Sequence, residues 1–362
     1  MNDDYRLPFG KRILRTIGLL LLLLIIAAAV LIGFLTVAEF NPADEETLIV
    51  KGEATHSIRI TDELNVLSWN LGYGGLGEDA DFFMDGGTSV VTGDETGVKM
   101  NMTRMISQMQ ELYPDIILLQ EVDQNSKRSF YVDETDMMAK AFPNTETTFA
   151  QNYKVAFVPY PIPPIGKVNS GIMTLSSYPV QSATRVQLPC PFKWPVRVAN
   201  LKRCLSIHRI PVNGTERELV VINLHLEAFD SGEGKIAQTK ALAELMNKEL
   251  EKDNYIIVGG DFNQIFSTED ASLFPHQEGK WTMGELDESI FDDSFVFLMD
   301  ETTPSCRSLD QAYVGANKET FQYYLVDGFI VSNNLTVLNC ETKDFGFVNS
   351  DHNPVLLRVR LK

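Results

Sequence analysis

The sequence is poor in cysteine, with only Cys190, Cys204, Cys306 and Cys340 in 362 residues. None belongs to a Cys-x-x-Cys pair, which argues against a zinc knuckle. Outside the cytoplasm Cys190 and Cys204 could bridge neighbouring strands, and buried free thiols fit equally well. The chain also lacks a G-x-S-x-G elbow and a G-x-x-x-x-G-K-[ST] loop. Neither that kind of serine nucleophile nor a Walker phosphate cradle is available. No internal repeat and no low-complexity tract interrupts the chain, which leaves one large domain as the simplest partition. Positive charge is scarce too. Net charge is −18, and the residues after 39 carry 27 basic and 46 acidic side chains, a net −19. A domain this acidic repels polyanions, which disfavours tight binding of duplex nucleic acid. It remains compatible with a small or zwitterionic phosphate ester held by a divalent cation. With 44% hydrophobic and 22% charged residues, a packed core is expected and disorder is not.

One apolar run is long. Residues 17–37 form an uncharged stretch of 21 residues, enough to span a hydrocarbon core of about 30 Å as a helix. A signal peptide would have a shorter apolar region followed by a small-x-small cleavage site. Here Ala27-Ala28-Ala29 lies inside the run, so cleavage would leave an apolar stub; an uncleaved anchor is the favoured reading. Arg6, Lys11, Arg12 and Arg15 precede the span, and Glu39, Asp44, Glu45 and Glu46 follow it. The positive-inside rule then puts a short tail, 1–16, in the cytoplasm and the remainder outside; the position of the anchor, with no eukaryotic sorting signal, favours the surface of a bacterial cell. Residues 38–62 look like a polar linker, and 63–362 like the catalytic domain. Asn101, Asn213 and Asn334 sit in glycosylation sequons, which matter only in a eukaryotic secretory pathway.

From residue 64 onward short apolar runs alternate with amphipathic stretches. Strands are expected at 64–69, 116–119, 154–158, 171–175, 219–226, 255–258, 328–331 and 355–361. Helical spacing groups Val98, Met102, Met105, Ile106, Met109 and Leu112, and again Ile236, Leu242, Leu245, Met246 and Leu250. The glycine-rich stretch 74–97 reads as a long loop after the first strand, and 262–321 as an irregular region covering an active site. Lys193, Arg197, Lys202, Arg203 and Arg209 form a basic cluster, either a solvated hairpin or an anionic-headgroup site.

Polar residues recur where the apolar runs end: Asn70, Glu121, His225, Asp261 with Asn263, Asp327, and Asp351-His352. Singly each is an ordinary turn residue or strand end. A carboxylate at the end of a buried strand is costly unless paired or bound to metal, and several in one chain form a chemically coherent set. Glu121, Asp261 and Asp351, with the amides of Asn70 and Asn263, offer hard oxygen donors suited to Mg²⁺ or Mn²⁺. His225 and His352 can stabilise or protonate a phosphoryl oxygen.

In order, the motifs Leu67-Ser-Trp-Asn70, Asp115-Ile-Ile-Leu-Leu-Gln-Glu121, Asn169-Ser-Gly171, Asn223-Leu-His225, Gly259-Gly-Asp-Phe-Asn263, Val326-Asp-Gly-Phe-Ile-Val331 and Asn349-Ser-Asp-His352 resemble those of the endonuclease/exonuclease/phosphatase superfamily. That group includes pancreatic-type deoxyribonucleases, abasic-site endonucleases, inositol-polyphosphate phosphatases and neutral sphingomyelinases. The resemblance implies an α/β (α+β) four-layer sandwich: two mostly antiparallel sheets back to back, flanked by helices and here preceded by one transmembrane helix. It implies Glu121 as the main metal ligand, with Asn70 beside it and Asp351 nearby. Asp261 would orient or deprotonate the attacking water, and Asn263 would hold a phosphate oxygen. His352 would contact the scissile phosphate, with Asp327 fixing its tautomer, and His225 would be the second phosphate-facing histidine. Two departures are visible. The family often has an aromatic residue where this chain has Gly328. Its tyrosine or arginine between Glu121 and His225 has only Tyr153 as a candidate.

The expected activity is Mg²⁺- or Mn²⁺-dependent hydrolysis of a phosphodiester by activated water, with a phospholipid headgroup as the leading substrate and the bilayer as a partner. An extracytoplasmic nuclease, a phosphomonoesterase and an inactive membrane-tethered binding module on the same fold stay open.

Overall fold

The computed structural model describes residues 9–362, so the first half of the expected tail lies outside the described residues. The apolar run becomes one helix, Phe9–Val37, long and apolar enough to cross a membrane. The stretch 38–62, expected as a linker, contributes short strands to both sheets. Glu45–Thr47 pairs with Ser182–Gln187, Lys51–Gly52 with Glu146–Val158, and Ile58–Arg59 with Cys204–Asn213.

The first sheet runs from edge to edge as Leu335–Thr342, Val355–Leu361, Glu63–Asn70, Ile116–Asp123, Gly166–Ser176, Glu146–Val158 and Lys51–Gly52. The second runs Glu45–Thr47, Ser182–Gln187, Cys204–Asn213, Glu218–His225, Tyr255–Asp261, Asp327–Ser332 and Phe295–Leu298. Pairing is antiparallel except at the centre of each sheet and at the short Ile58–Arg59 strand. The central parallel pairs are Glu63–Asn70 with Ile116–Asp123, and Glu218–His225 with Tyr255–Asp261.

Period-two alternation builds the layers. Leu64, Val66, Ile116 and Leu118 of the first sheet pack against Val221, Tyr255, Ile257 and Phe329 of the second, and these make the inter-sheet core. The alternate residues face outward. Leu67, Trp69, Ile117 and Leu119 meet Met102, Met105 and Met109 of helix Glu95–Glu111. Val220, Ile222, Ile256 and Val258 meet Leu242 and Met246 of helix Glu233–Leu250. The result is the four-layer α/β sandwich. Helix Glu134–Ala141 joins the first outer layer through Met138.

Polar contacts also cross the core away from the site, and one of them involves a histidine. The Thr148 hydroxyl lies 2.6 Å from His208 Nε2, and burial pushes the His208 imidazolium down to about 4. The folded chain therefore holds this ring neutral, whereas an unfolded one protonates it near pH 6.5. Its stabilising contribution is complete above that pH and is lost as pH falls toward 4. Between pH 7 and 4 the wild type should lose about 3 kcal/mol more than His208→Gln. Urea unfolding of both proteins at the two pH values measures the difference.

Candidate active site

The inter-sheet core changes from apolar to polar along the central strands. On the same faces that begin with Leu64, Ile116, Leu219 and Tyr255 come Ser68 and Asn70, Gln120, Asn223 and His225, and Asp261, all buried. Gln120 Nε2 donates to Asn223 Oδ1 at 2.8 Å, tying the two sheets together beneath the site. Asn223 Nδ2 donates onward to the Met173 carbonyl at 3.0 Å. Strand register then lines up a row: His225 opposite Asp261, and Asp261 opposite Asp327. Gly260 is required here, since a Cβ on it would fall 2.1 Å from the Leu224 carbonyl oxygen.

Two carboxylates directly opposite each other repel, and the surrounding groups show how the fold manages this. His352 Nδ1 lies 2.8 Å from Asp327 Oδ2, and its Nε2 lies 3.9 Å from Asp261 Oδ2. Burial alone would push the His352 imidazolium down, but the Asp327 carboxylate holds it well above the ordinary histidine range. Asp261 is pushed up to about 7 by burial and by Asp327. It is held by Asn70 Nδ2 at 3.0 Å and by the Asn263 backbone N–H at 2.9 Å. His225 Nε2 lies 3.3 Å from Asp261 Oδ2. Burial, then Arg203 and His352, push the His225 imidazolium well below its usual range. Two histidines on one carboxylate thus take opposite states, one charged and one neutral. His225 Nδ1 and Asp327 Oδ1 are buried without a hydrogen-bond partner, as expected of groups that wait for a ligand.

The segment after residue 348 is latched onto this row. Ser350 Oγ donates to the Asn70 carbonyl at 2.8 Å, and the Trp69 indole donates to the His352 carbonyl at 2.9 Å. Glu121 is presented differently. It sits at φ +52° within its strand, where the register against Gly166–Ser176 slips between Leu119 and Val122. Such a bulge re-aims a side chain and stores about 1–3 kcal/mol of backbone strain, a cost usually found at functional sites.

Among the described residues no donor hydrogen-bonds the Glu121 carboxylate; its nearest cation is Arg128 Nη1 at 4.0 Å. Asp351 is pushed up by burial and by the Glu121 charge. A divalent cation between such carboxylates would relieve that repulsion, so these hard oxygen donors fit the expected metal. Two groups of three side chains, neither of them including Glu121, have donor atoms within 4.8 Å of one another: Asp261 with Asp327 and His352, and Cys306 with Asp351 and His352. Both fit less well. His352 is held protonated by Asp327, and the Cys306 thiol is pushed up to about 12 by burial. Asn70, expected beside the metal, uses its amide otherwise: Nδ2 donates to Asp261, and Oδ1 accepts from the Gly72 N–H at 3.0 Å. Asn263, expected on a phosphate oxygen, donates one Nδ2 hydrogen to the Leu226 carbonyl at 3.0 Å.

The structure adds residues that the sequence did not reveal. Arg128 is clamped on Asp123 by contacts of 3.0 and 3.1 Å, and its guanidinium lies 3.8 Å from the centre of the Tyr73 ring. It lies beside Glu121, between Glu121 and His225 in the chain, and so is a second candidate, with Tyr153, for the tyrosine or arginine expected there. Tyr153 lies behind it, with its hydroxyl donating to the Ala199 carbonyl at 3.4 Å. Asp85, in the glycine-rich loop, is pushed up to about 7 by burial and by Asp351, Asp310 and Glu121. That loop is tied down over the site, with Arg307 Nη2 donating to the Gly77 carbonyl at 2.7 Å. Gly328 has a physical reason: a Cβ there would lie 2.6 Å from the Leu298 carbonyl oxygen of the neighbouring strand. All four cysteines are free thiols.

The basic cluster disperses. Arg197 and Lys202 bind Glu39, Arg209 binds Glu218 and Glu249, and Arg203 lies 3.9 Å from Glu227.

The family model for the Endonuclease/Exonuclease/phosphatase family matches residues 67–352, from the first site strand to His352. The chain belongs to this family. Members of the endonuclease/exonuclease/phosphatase family are hydrolases of phosphoester bonds. No curated protein matches the sequence. Solved structures of the same fold do. An endonuclease/exonuclease/phosphatase from Beutenbergia cavernae DSM 12333 is 18% identical with a TM-score of 0.55, over 83% of this chain and 72% of that one. One from Bacteroides vulgatus is 15% identical with a TM-score of 0.51, over 83% and 100%. ANGEL2, described as a 2′,3′-cyclic phosphatase in complex with adenosine-2′,3′-vanadate, is 14% identical with a TM-score of 0.54, over 83% and 96%. At these identities the likeness shows the fold shared across the family.

Proposed function

We propose that the chain is a membrane-anchored, divalent-metal-dependent phosphodiesterase whose catalytic domain lies outside the cytoplasm. The observation that carries this reading is the row His225–Asp261–Asp327, capped by His352, facing a bulged Glu121 and a buried Asp351. A cation bound by Glu121 and Asp351 would neutralise charge on the phosphoryl oxygens. The protein's own groups supply the rest. Asp261, held by Asn70 and the Asn263 N–H, is placed to take a proton from the attacking water. That water's oxygen forms the new bond to phosphorus while the bond to the leaving oxygen breaks. His352, kept charged by Asp327, donates a hydrogen bond to a phosphoryl oxygen. Neutral His225 offers a second contact, and Arg128 adds positive charge beside Glu121. An acidic surface favours a zwitterionic or small ester over a polyanion, and the anchor raises effective concentration at a membrane. A phospholipid headgroup is therefore the leading substrate.

The test is turnover by the full chain in detergent with bis-p-nitrophenyl phosphate, sphingomyelin or single-stranded DNA, each with Mg²⁺, Mn²⁺ or EDTA. Hydrolysis of the first two that stops in EDTA is the expected result. Faster cleavage of DNA, slowed steeply by salt, would make the chain a nuclease. Binding without turnover of any ester would favour the binding module.

A further inference from the structure

The end of the membrane helix is built into the catalytic domain. Leu35 is buried against Val155, Val158, Val168 and Val198, with Leu31 beside it. The Trp194 indole N–H donates to Thr36 Oγ1 at 3.1 Å. Arg197 and Lys202 both bind Glu39, at 3.0 and 2.9 Å. A cleavage after the helix would remove Leu35 and open an apolar notch in the domain, which favours retention of the helix.

This docking fixes a depth. Leu35 and Thr36 stand in the last turn of the apolar run, where a spanning helix leaves the hydrocarbon. Trp194, bonded to Thr36, then lies at the headgroup boundary, the level that tryptophan favours. Two loops flank this point, 159–165 and 189–200. They expose large apolar side chains together: Ile162 at 94%, Tyr160 at 70%, Val196 at 59% and Trp194 at 58%. Exposed apolar residues scattered singly need no explanation. These are gathered beside the helix exit, with exposed Lys154, Lys167 and Lys193 around them in an otherwise acidic domain. Such a pattern suits a bilayer surface with anionic lipid.

The same rim borders the candidate active site. The Tyr160 ring packs edge-on to Phe83 at 5.8 Å, and Phe83 lies two residues before Asp85 in the loop over the site. The strand that leaves the 159–165 loop pairs Gly171 with Val122, next to the bulged Glu121.

We propose that the catalytic domain rests on the bilayer that holds its anchor, with Tyr160, Ile162, Trp194 and Val196 seated at headgroup depth, so that the site addresses phosphodiesters of lipids in that same membrane. This deepens the proposed function and rests on it. The shared depth of Thr36 and Trp194 carries it, and a loosely tethered domain would show none.

The full chain is reconstituted in phosphatidylcholine–phosphatidylglycerol vesicles with and without brominated acyl chains, and the fluorescence of wild type is compared with that of Trp194→Phe. Strong quenching of the Trp194 contribution is expected. In a second arm, Ile162→Asp combined with Val196→Asp should lower turnover of vesicle sphingomyelin roughly ten-fold. Both side chains are exposed, so folding should be unaffected, and turnover of bis-p-nitrophenyl phosphate should stay within about two-fold of wild type. An unquenched Trp194 overturns the seated rim, and so does lipid turnover indifferent to the double substitution. Quenching without lipid hydrolysis overturns the choice of substrate. Loss of bis-p-nitrophenyl phosphate turnover in wild type condemns the phosphodiesterase reading instead, and the quenching result is independent of it.

Discussion

Asp261→Asn should lower turnover by roughly 10³-fold while leaving the apo protein as stable as wild type or more so. The two halves of this result have one cause. Burial and the facing Asp327 raise the Asp261 pKa to about 7, far above that of an exposed aspartate. A carboxyl raised in this way penalises the folded state wherever it ionises, so the penalty is absent below about pH 4 and complete above about pH 7. Asparagine keeps the shape and removes the charge. It cannot accept a proton from water. A gain in thermal midpoint at pH 8 joined to a collapse of kcat is the signature of a residue kept for chemistry at the expense of stability. Equal loss of both would make Asp261 a structural residue. Thermal unfolding and kcat measured on the same preparations decide it.

Asp327→Asn should cost roughly 10²–10⁴-fold in kcat, and its pH profile should carry the diagnosis. Asp327 has two neighbours to influence. Its charge holds His352 protonated, and it raises the pKa of Asp261. In the proposed mechanism activity needs Asp261 ionised and His352 charged, so the wild-type profile should rise through the Asp261 pKa and fall through that of His352. A cation held at Glu121 and Asp351 would lower the raised Asp261 pKa, so the acid limb is expected at or below about pH 7. Removing the Asp327 charge lowers both pKa values, so both limbs should move to lower pH together. A fall in kcat with the limbs unmoved would mean that Asp327 acts only by packing. The partnerless Asp327 Oδ1 makes that outcome unexpected.

Much of this site is legible in the sequence because long apolar runs end in single polar residues. Asn70, Glu121, His225 and Asp261 each close such a run and Asp327 opens one; a strand's period of two makes the face shared by Asn70, His225 and Asp261 deducible, whereas Glu121 depends on a bulge that the period does not show. The family order of the motifs then supplies the sandwich. Strands that depart from that pattern are harder to see. Leu335–Thr342 is half exposed along its length, and Cys204–Asn213 carries Arg209 and Pro211 within a run that reads as a solvated hairpin. Arg128 was invisible for another reason. An Asp and an Arg five residues apart look like a surface turn, and only the fold shows the pair buried against Tyr73 beside Glu121. The basic cluster misled by its proximity in sequence. Arg197 and Lys202 reach back to Glu39, and Arg209 reaches forward to Glu249, separations that no local pattern records. Nor does any local pattern show that the segment 38–62 is woven into both sheets.

The central claim is that Glu121 and its neighbours hold a divalent cation for hydrolysis of a phosphodiester. The most direct test compares wild type with Glu121→Ala in two readouts: Mn²⁺ binding by calorimetry, and turnover of bis-p-nitrophenyl phosphate with and without EDTA. The account predicts one tight site in the wild type, EDTA-sensitive turnover, and loss of both in a variant that unfolds at the wild-type temperature or above. Turnover that survives either EDTA or the substitution would contradict it.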